Sequence, residues 1–138
     1  MIRIGTAGWT IPRRHAEHFP ADGSGLERYA SRFNAAEINS TFYRSHRPQT
    51  YARWTAAVPE DFRFAVKMPK AITHERRLID VTDLLNRFAE EISLLGPKLG
   101  PVLIQLPPQF QQLPPQFQQL PPQFQQVFPF GFGGFFRS

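Results

Sequence analysis

The chain has 138 residues, enough for one domain of ordinary size with its own core. It contains no cysteine, which excludes disulfides and thiolate metal sites and fits a reducing compartment. A net charge of +5 is a mild bias toward anionic partners such as phosphates or nucleic acid, and the placement of the charges says more than their sum.

The opening stretch MIRIGTAGW has no apolar run long enough for a signal peptide or a membrane span. A cytoplasmic chain with no membrane association is expected. The first strand is predicted at Ile2 to Gly5, with Ile2 and Ile4 on one face. A loop containing Gly, Pro and His runs from Thr6 to about Gly25. Leu26, Tyr29, Ala30 and Phe33 then recur at helical spacing. Ser24 can cap that helix, and Glu27 at the third helical position would complete a capping box.

The second strand is predicted at Ala36 to about Ser40. Pro48 opens the next helix where proline is tolerated, and Tyr51, Trp54, Thr55 and Val58 give it an apolar stripe. The third strand is Phe62 to Lys67. A loop through Pro69 and His74 leads to a helix near Val81 to Leu95, with Leu84, Leu85, Phe88, Ile92 and Leu95 on one side. Gly96 and Pro97 stop it, and the fourth strand is Pro101 to Gln105. Repeated βα units imply an α/β fold with a parallel sheet and right-handed crossovers. A doubly wound sheet and a TIM barrel both satisfy this pattern.

Side chains alternate across a strand. Ile38, Phe64, Val66, Val102 and Ile104 suit a helix layer. The other face then carries Gly5, Glu37, Asn39, Lys67 and Gln105, toward the carboxyl ends of the strands, where α/β proteins place their sites. A buried carboxylate and ammonium must be paired or strongly shifted. Glu37 and Lys67 read either as an acid/base or substrate-orienting pair or as a structural ion pair that satisfies itself.

All four histidines, His15, His18, His46 and His74, fall in strand-to-helix loops, with Arg13, Arg14, Arg44, Arg47, Lys70, Arg76 and Arg77. Such a basic rim over a polar pocket points to a small anionic ligand bearing phosphate or carboxylate; a solvated arginine-rich surface is the plain alternative. No metal site is expected, because no HExxH-type signature accompanies the His15/His18 spacing. There is no GxGxxG, P-loop or GxSxG, and Ser40 and Ser45 lack nucleophile context. The aromatics are committed to helix cores, which disfavours a nucleic-acid stacking platform.

From Leu106 the only charged side chain is Arg137, and Leu106 to Gln126 spells LPPQFQQ three times. Pro-Pro in every copy excludes a coiled coil. The tract lacks the flanking arginine and the PxxP spacing of a polyproline ligand, and its prolines oppose β pairing.

Four segments together carry a resemblance: GTAGW at Gly5 to Trp9, EINSTFY at Glu37 to Tyr43, FAVKMPKAITH at Phe64 to His74, and LGPVLIQLPPQF ending at Phe110. They resemble the YecE-like proteins, domain of unknown function family 72. The resemblance implies a TIM barrel and carries the family's motif positions onto Gly5, Trp9, Glu37, Asn39, Tyr43, Lys67, His74 and Gln105. It supplies neither a reaction nor a cofactor. The expected site has Glu37, Lys67 and His74 in charge and proton chemistry, with Asn39, Tyr43, Gln105 and Trp9 contacting the ligand. A TIM barrel takes eight strands and about 250 residues. Four strands precede the repeat, so residues 1–112 are expected to form about four βα units, a partial barrel. Residues 113–138 are expected to be a disordered low-complexity tail, produced by tandem duplication and a frame change. Open edges on the first and fourth strands predict self-association. A non-enzymatic phosphate or nucleic-acid binding module, or a nonfunctional gene fragment, are the alternative readings.

Overall fold

A computed structural model describes residues 1–108, 110, 116 and 120. Four strands, β1 (Gly5–Ala7), β2 (Ala35–Ile38), β3 (Arg63–Lys67) and β4 (Leu99–Leu103), alternate with three helices, α1 (Gly25–Ala30), α2 (Pro48–Ala56) and α3 (Thr82–Ser93). All neighbouring strands are parallel, and the sheet order is β1-β2-β3-β4. A doubly wound sheet reverses direction part-way through its strand order; this one adds each strand on the same side. The chain therefore builds three consecutive βα units and a fourth strand, in the manner of a TIM-barrel wall.

One apolar cluster holds the layers together. Ala36, Ile38, Phe64, Val66 and Val102 from the sheet meet Leu26 and Tyr29 of α1, Tyr51 of α2, and Leu85, Phe88 and Ile92 of α3. Ala35, Glu37 and Ala65 are also buried but lie outside that cluster, on the opposite face. The two-residue alternation thus sorts β2 and β3 as the sequence predicts. Leu106 and Leu120 are buried in the core too, and Leu120 begins the third repeat copy. Gln116 is half-buried, and the other positions of 113–138, to which the expectation of disorder applies, lie outside the described residues.

The element ends differ from expectation for physical reasons. β1 starts at Gly5 rather than Ile2. Before it, the Asn34 side chain stands in for a strand: its amide donates to the Ile2 carbonyl at 2.9 Å, and its oxygen accepts the Ile4 N–H at 2.8 Å. Ile2 and Ile4 remain exposed. Gly5 allows β1 and β2 to approach, since a Cβ there would lie 2.0 Å from the Ala35 carbonyl oxygen. β2 ends at Ile38 because Asn39 turns helical, at φ −85° and ψ −24°, and opens a tight turn over Ser40–Phe42. β4 starts two residues earlier than predicted. Its pairing with β3 gains one residue around Gly100 and Pro101, where proline has no N–H to give the ladder.

Helix starts follow local chemistry. The Ser24 hydroxyl accepts the Glu27 N–H at 3.2 Å at the start of α1. Pro48 occupies the first turn of α2. The segment after β3 departs from the simple loop expected: Ala71–Glu75 form one wide π-type turn, and Arg77, Leu78 and Asp80 follow at positive φ. Both features are uncommon and concentrate at functional sites.

Candidate functional site

Glu37 is 6% exposed on β2. It aligns with Ala65 of β3, and Lys67 lies two residues further along that strand on the same face. Among the described residues the Glu37 carboxyl has no hydrogen bond or ion pair. Burial raises its pKa above the ordinary glutamate value, and the positive charge of Lys67 opposes that rise. The side chain therefore keeps its proton to higher pH than an ordinary glutamate does.

The Lys67 ammonium is held by a ring rather than by an acid. It lies 4.3 Å from the centre of Phe42, a cation–π contact. The His74 ring meets the same phenyl edge-on, at 5.1 Å and 90°. His74 Nδ1 is 2.8 Å from the hydroxyl of Thr73, which is fully buried in the π-type turn. Burial and, to a lesser extent, the Lys67 charge lower the His74 pKa, so the imidazole is neutral near neutral pH. Phe42 thus joins Lys67 to His74, and Lys67 influences both Glu37 and His74.

Thr41 fixes this arrangement from below. Its hydroxyl lies 3.0 Å from the Ile38 carbonyl and 2.7 Å from the Lys67 carbonyl, tying the ends of β2 and β3 together. Sequence reasoning missed Thr41, Phe42 and Thr73 as members of the site. The available signal was an apolar Phe42 in a short polar loop, directly after a strand.

The other predicted ligand contacts are spread more widely. Asn39 follows β2, but its helical backbone removes it from the strand alternation that paired it with Glu37. Tyr43 is 66% exposed, edge-on to Phe42, with Lys70 Nζ 5.8 Å from its ring. Gln105 is exposed two residues beyond β4. Trp9 lies with the helix layer instead: its ring meets Trp54 at 5.2 Å and Phe64 at 6.1 Å. The rim residues Arg13, Arg14, Arg44, Arg47, Lys70, Arg76 and Arg77 are all exposed. Among the described residues no three His, Asp or Glu side chains come together as a metal site. No helix among them is long and apolar enough to cross a membrane.

A second polar cluster lies beyond β2. Ser40 Oγ is 2.7 Å from His46 Nε2. Glu91 Oε1 accepts the His46 backbone N–H at 2.7 Å and the Tyr51 hydroxyl at 2.6 Å.

The family model of DUF72, a protein family of unknown function, matches residues 3–132. The UPF0759 protein YecE of Escherichia coli K12 is 36% identical over 110 residues, covering 80% of this chain and 39% of that protein. YunF of Bacillus subtilis, also a UPF0759 protein, is 33% identical over 119 residues, covering 80% of this chain and 41% of its own. The chain thus spans about two fifths of the length of these curated relatives. A crystal structure of a DUF72 family protein from Enterococcus faecalis superposes with a TM-score of 0.67 at 25% identity, over 86% of this chain and 44% of that one. One from Thermotoga maritima superposes with a TM-score of 0.64 at 23% identity, over 86% and 49%, a likeness of fold. The order of the strands, the motif residues gathered at their carboxyl ends and these matches agree: the chain belongs to the DUF72 family.

Proposed function

We propose that the cluster of Glu37, Lys67 and His74 binds a small anion, a carboxylate or a phosphate ester, and moves a proton to or from it. One observation carries this reading. A buried carboxyl without a hydrogen-bond or ion-pair partner among the described residues shares a sheet face with an ammonium whose described contact is an aromatic ring. A self-satisfied structural ion pair would place the two charges in contact, and no such bridge occurs among the described residues. A ligand anion would supply the missing partner for Lys67. Protonated Glu37 would donate to a ligand oxygen, and neutral His74 would accept or return the proton. Asn39, Tyr43 and Gln105 border the same end of the sheet and would orient the ligand. Closure of the wall into a full barrel belongs to this proposal as well, since such a site lies at the carboxyl-end mouth of a barrel.

The exposed arginines support a second reading, a phosphate or nucleic-acid surface without chemistry. Calorimetric titration of the chain with inorganic phosphate and with acetate separates the two. The site reading expects Lys67→Met to weaken binding by about tenfold or more. Equal binding by both chains, with a steep salt dependence, would instead assign the anion to the arginine rim.

A further inference from the structure

The Ser40–His46 pair takes no part in the anion site proposed above. We propose that Ser40 is a nucleophile served by His46 as its general base, and that it accepts the acyl group of a carboxylic ester. The hydroxyl oxygen and the ring nitrogen are 2.7 Å apart, within the range of a nucleophile and its base. Ser40 stands at the junction where β2 gives way to the tight turn Ser40–Phe42, at the carboxyl end of the sheet.

His46 is held for this task from three directions. Glu91 reaches across from α3 to its backbone N–H, 2.7 Å away. The ring is edge-on to Trp54 at 5.1 Å and to Tyr51 at 6.0 Å. Glu91 is anchored in turn by the Tyr51 hydroxyl. Glu91 is therefore a positioning residue: it fixes the loop through the main chain and leaves the imidazole nitrogens to chemistry. Burial lowers the His46 pKa, the Arg44 charge lowers it further, and Glu91 opposes them. A neutral ring with its proton on Nδ1 presents Nε2 as the acceptor for the Ser40 hydroxyl.

The chemistry balances without a redox partner. Ser40 Oγ adds to the ester carbonyl while its proton passes to His46 Nε2. The bond from the carbonyl carbon to the alkoxy oxygen breaks, and the leaving alkoxide takes that proton as an alcohol. Water then adds to the acyl-serine by the same route, releasing the acid and restoring Ser40.

A purely structural role for the pair makes a different prediction from a catalytic one. The chain is treated with p-nitrophenyl acetate at about pH 7.5, where neutral His46 predominates. Release of p-nitrophenolate is followed, and the acetyl group is mapped by peptide mass spectrometry. A burst with acetyl on Ser40 is expected. Ser40→Ala should abolish it, and His46→Gln should slow it by about 100-fold. The acylation rate should fall as pH is lowered, along a single titration whose midpoint lies below the ordinary histidine value of 6.5. The groups facing His46 in that titration are Ser40 from the end of β2, Arg44 from its own loop, Tyr51 from α2 and Glu91 from α3. Acetylation confined to lysines, or equal Ser40 labelling in the His46→Gln chain, would overturn the proposal. Mapping on the unaltered chain separates acetyl-serine from acetyl-lysine even if a variant fails to fold.

Discussion

The Glu91 carboxyl on α3 accepts two hydrogen bonds through one oxygen, from the His46 N–H and the Tyr51 hydroxyl, whereas the Glu37 carboxyl on β2 accepts none among the described residues. Both side chains are drawn out of bulk water. The difference shows two uses of a carboxylate. A carboxylate with donors aimed at it is part of the framework, because charge-assisted bonds offset the loss of hydration. One left without donors costs stability, and its place on the same sheet face as Lys67 is the observation on which the proposed anion site rests.

Substitution at Glu91 is the strongest way to break this contrast. Glu91→Ala strands the buried Tyr51 hydroxyl and the His46 N–H, and should cost about 3 kcal/mol in a urea unfolding experiment. A loss below about 1 kcal/mol would mean that Glu91 is not the framework acid described. Thr41→Val should come next. It keeps the shape but removes the hydroxyl bridging the Ile38 and Lys67 carbonyls, for an expected loss of about 1–2 kcal/mol. Replacing the Ser24 cap with alanine should cost about 1 kcal/mol, and should leave phosphate binding unchanged because the described ring and hydrogen-bond contacts of Lys67 and His74 do not involve α1.

Glu37→Gln should have the smallest effect on the fold and sharpen the contrast most. The folded pKa of Glu37 lies above its ordinary value, so the folded chain holds this proton more tightly than the unfolded chain. The stabilising contribution of the protonated form is complete below the ordinary value of 4.5 and disappears as pH rises through the raised folded value. Glutamine stays neutral throughout. The unaltered chain should therefore lose stability relative to Glu37→Gln as pH is raised from 4.5 toward neutrality. Parallel urea midpoints for the two chains measure it. An unchanged difference would show that Glu37 is not held in a raised state.

Much of the fold can be read from the chain because its signals are local. Ser24 and Glu27 at capping spacing, Pro48 in a first turn, and Leu85, Phe88 and Ile92 on one helical face each act within a few residues. The strand ends are less legible, because Asn34 replaces a strand before β1 and Asn39 turns away after β2. Neither event breaks a local propensity strongly enough to be seen in advance. The site is legible in part for the same reason. Glu37 and Lys67 share a face by alternation alone, while Asn39 joins them only when β2 is extended one residue too far. The motif groups Trp9 with the ligand contacts, yet its ring is seated against Trp54 and Phe64 in the helix layer.

The sequence by itself determined the order of βα units, the core face of each helix and strand, and the polar face that carries Glu37 and Lys67. These follow from periodicity, which is a property of the backbone geometry at each residue. Only the tertiary structure decided that Phe42 lies between Lys67 and His74, and that Thr41 ties two strand ends. It also decided that Glu91 closes on His46 across 45 positions. The physical reason is the parallel crossover. Neighbouring strands are separated by a whole helix, so the partner of a loop residue is chosen by how the layers pack and leaves no mark in the local spacing.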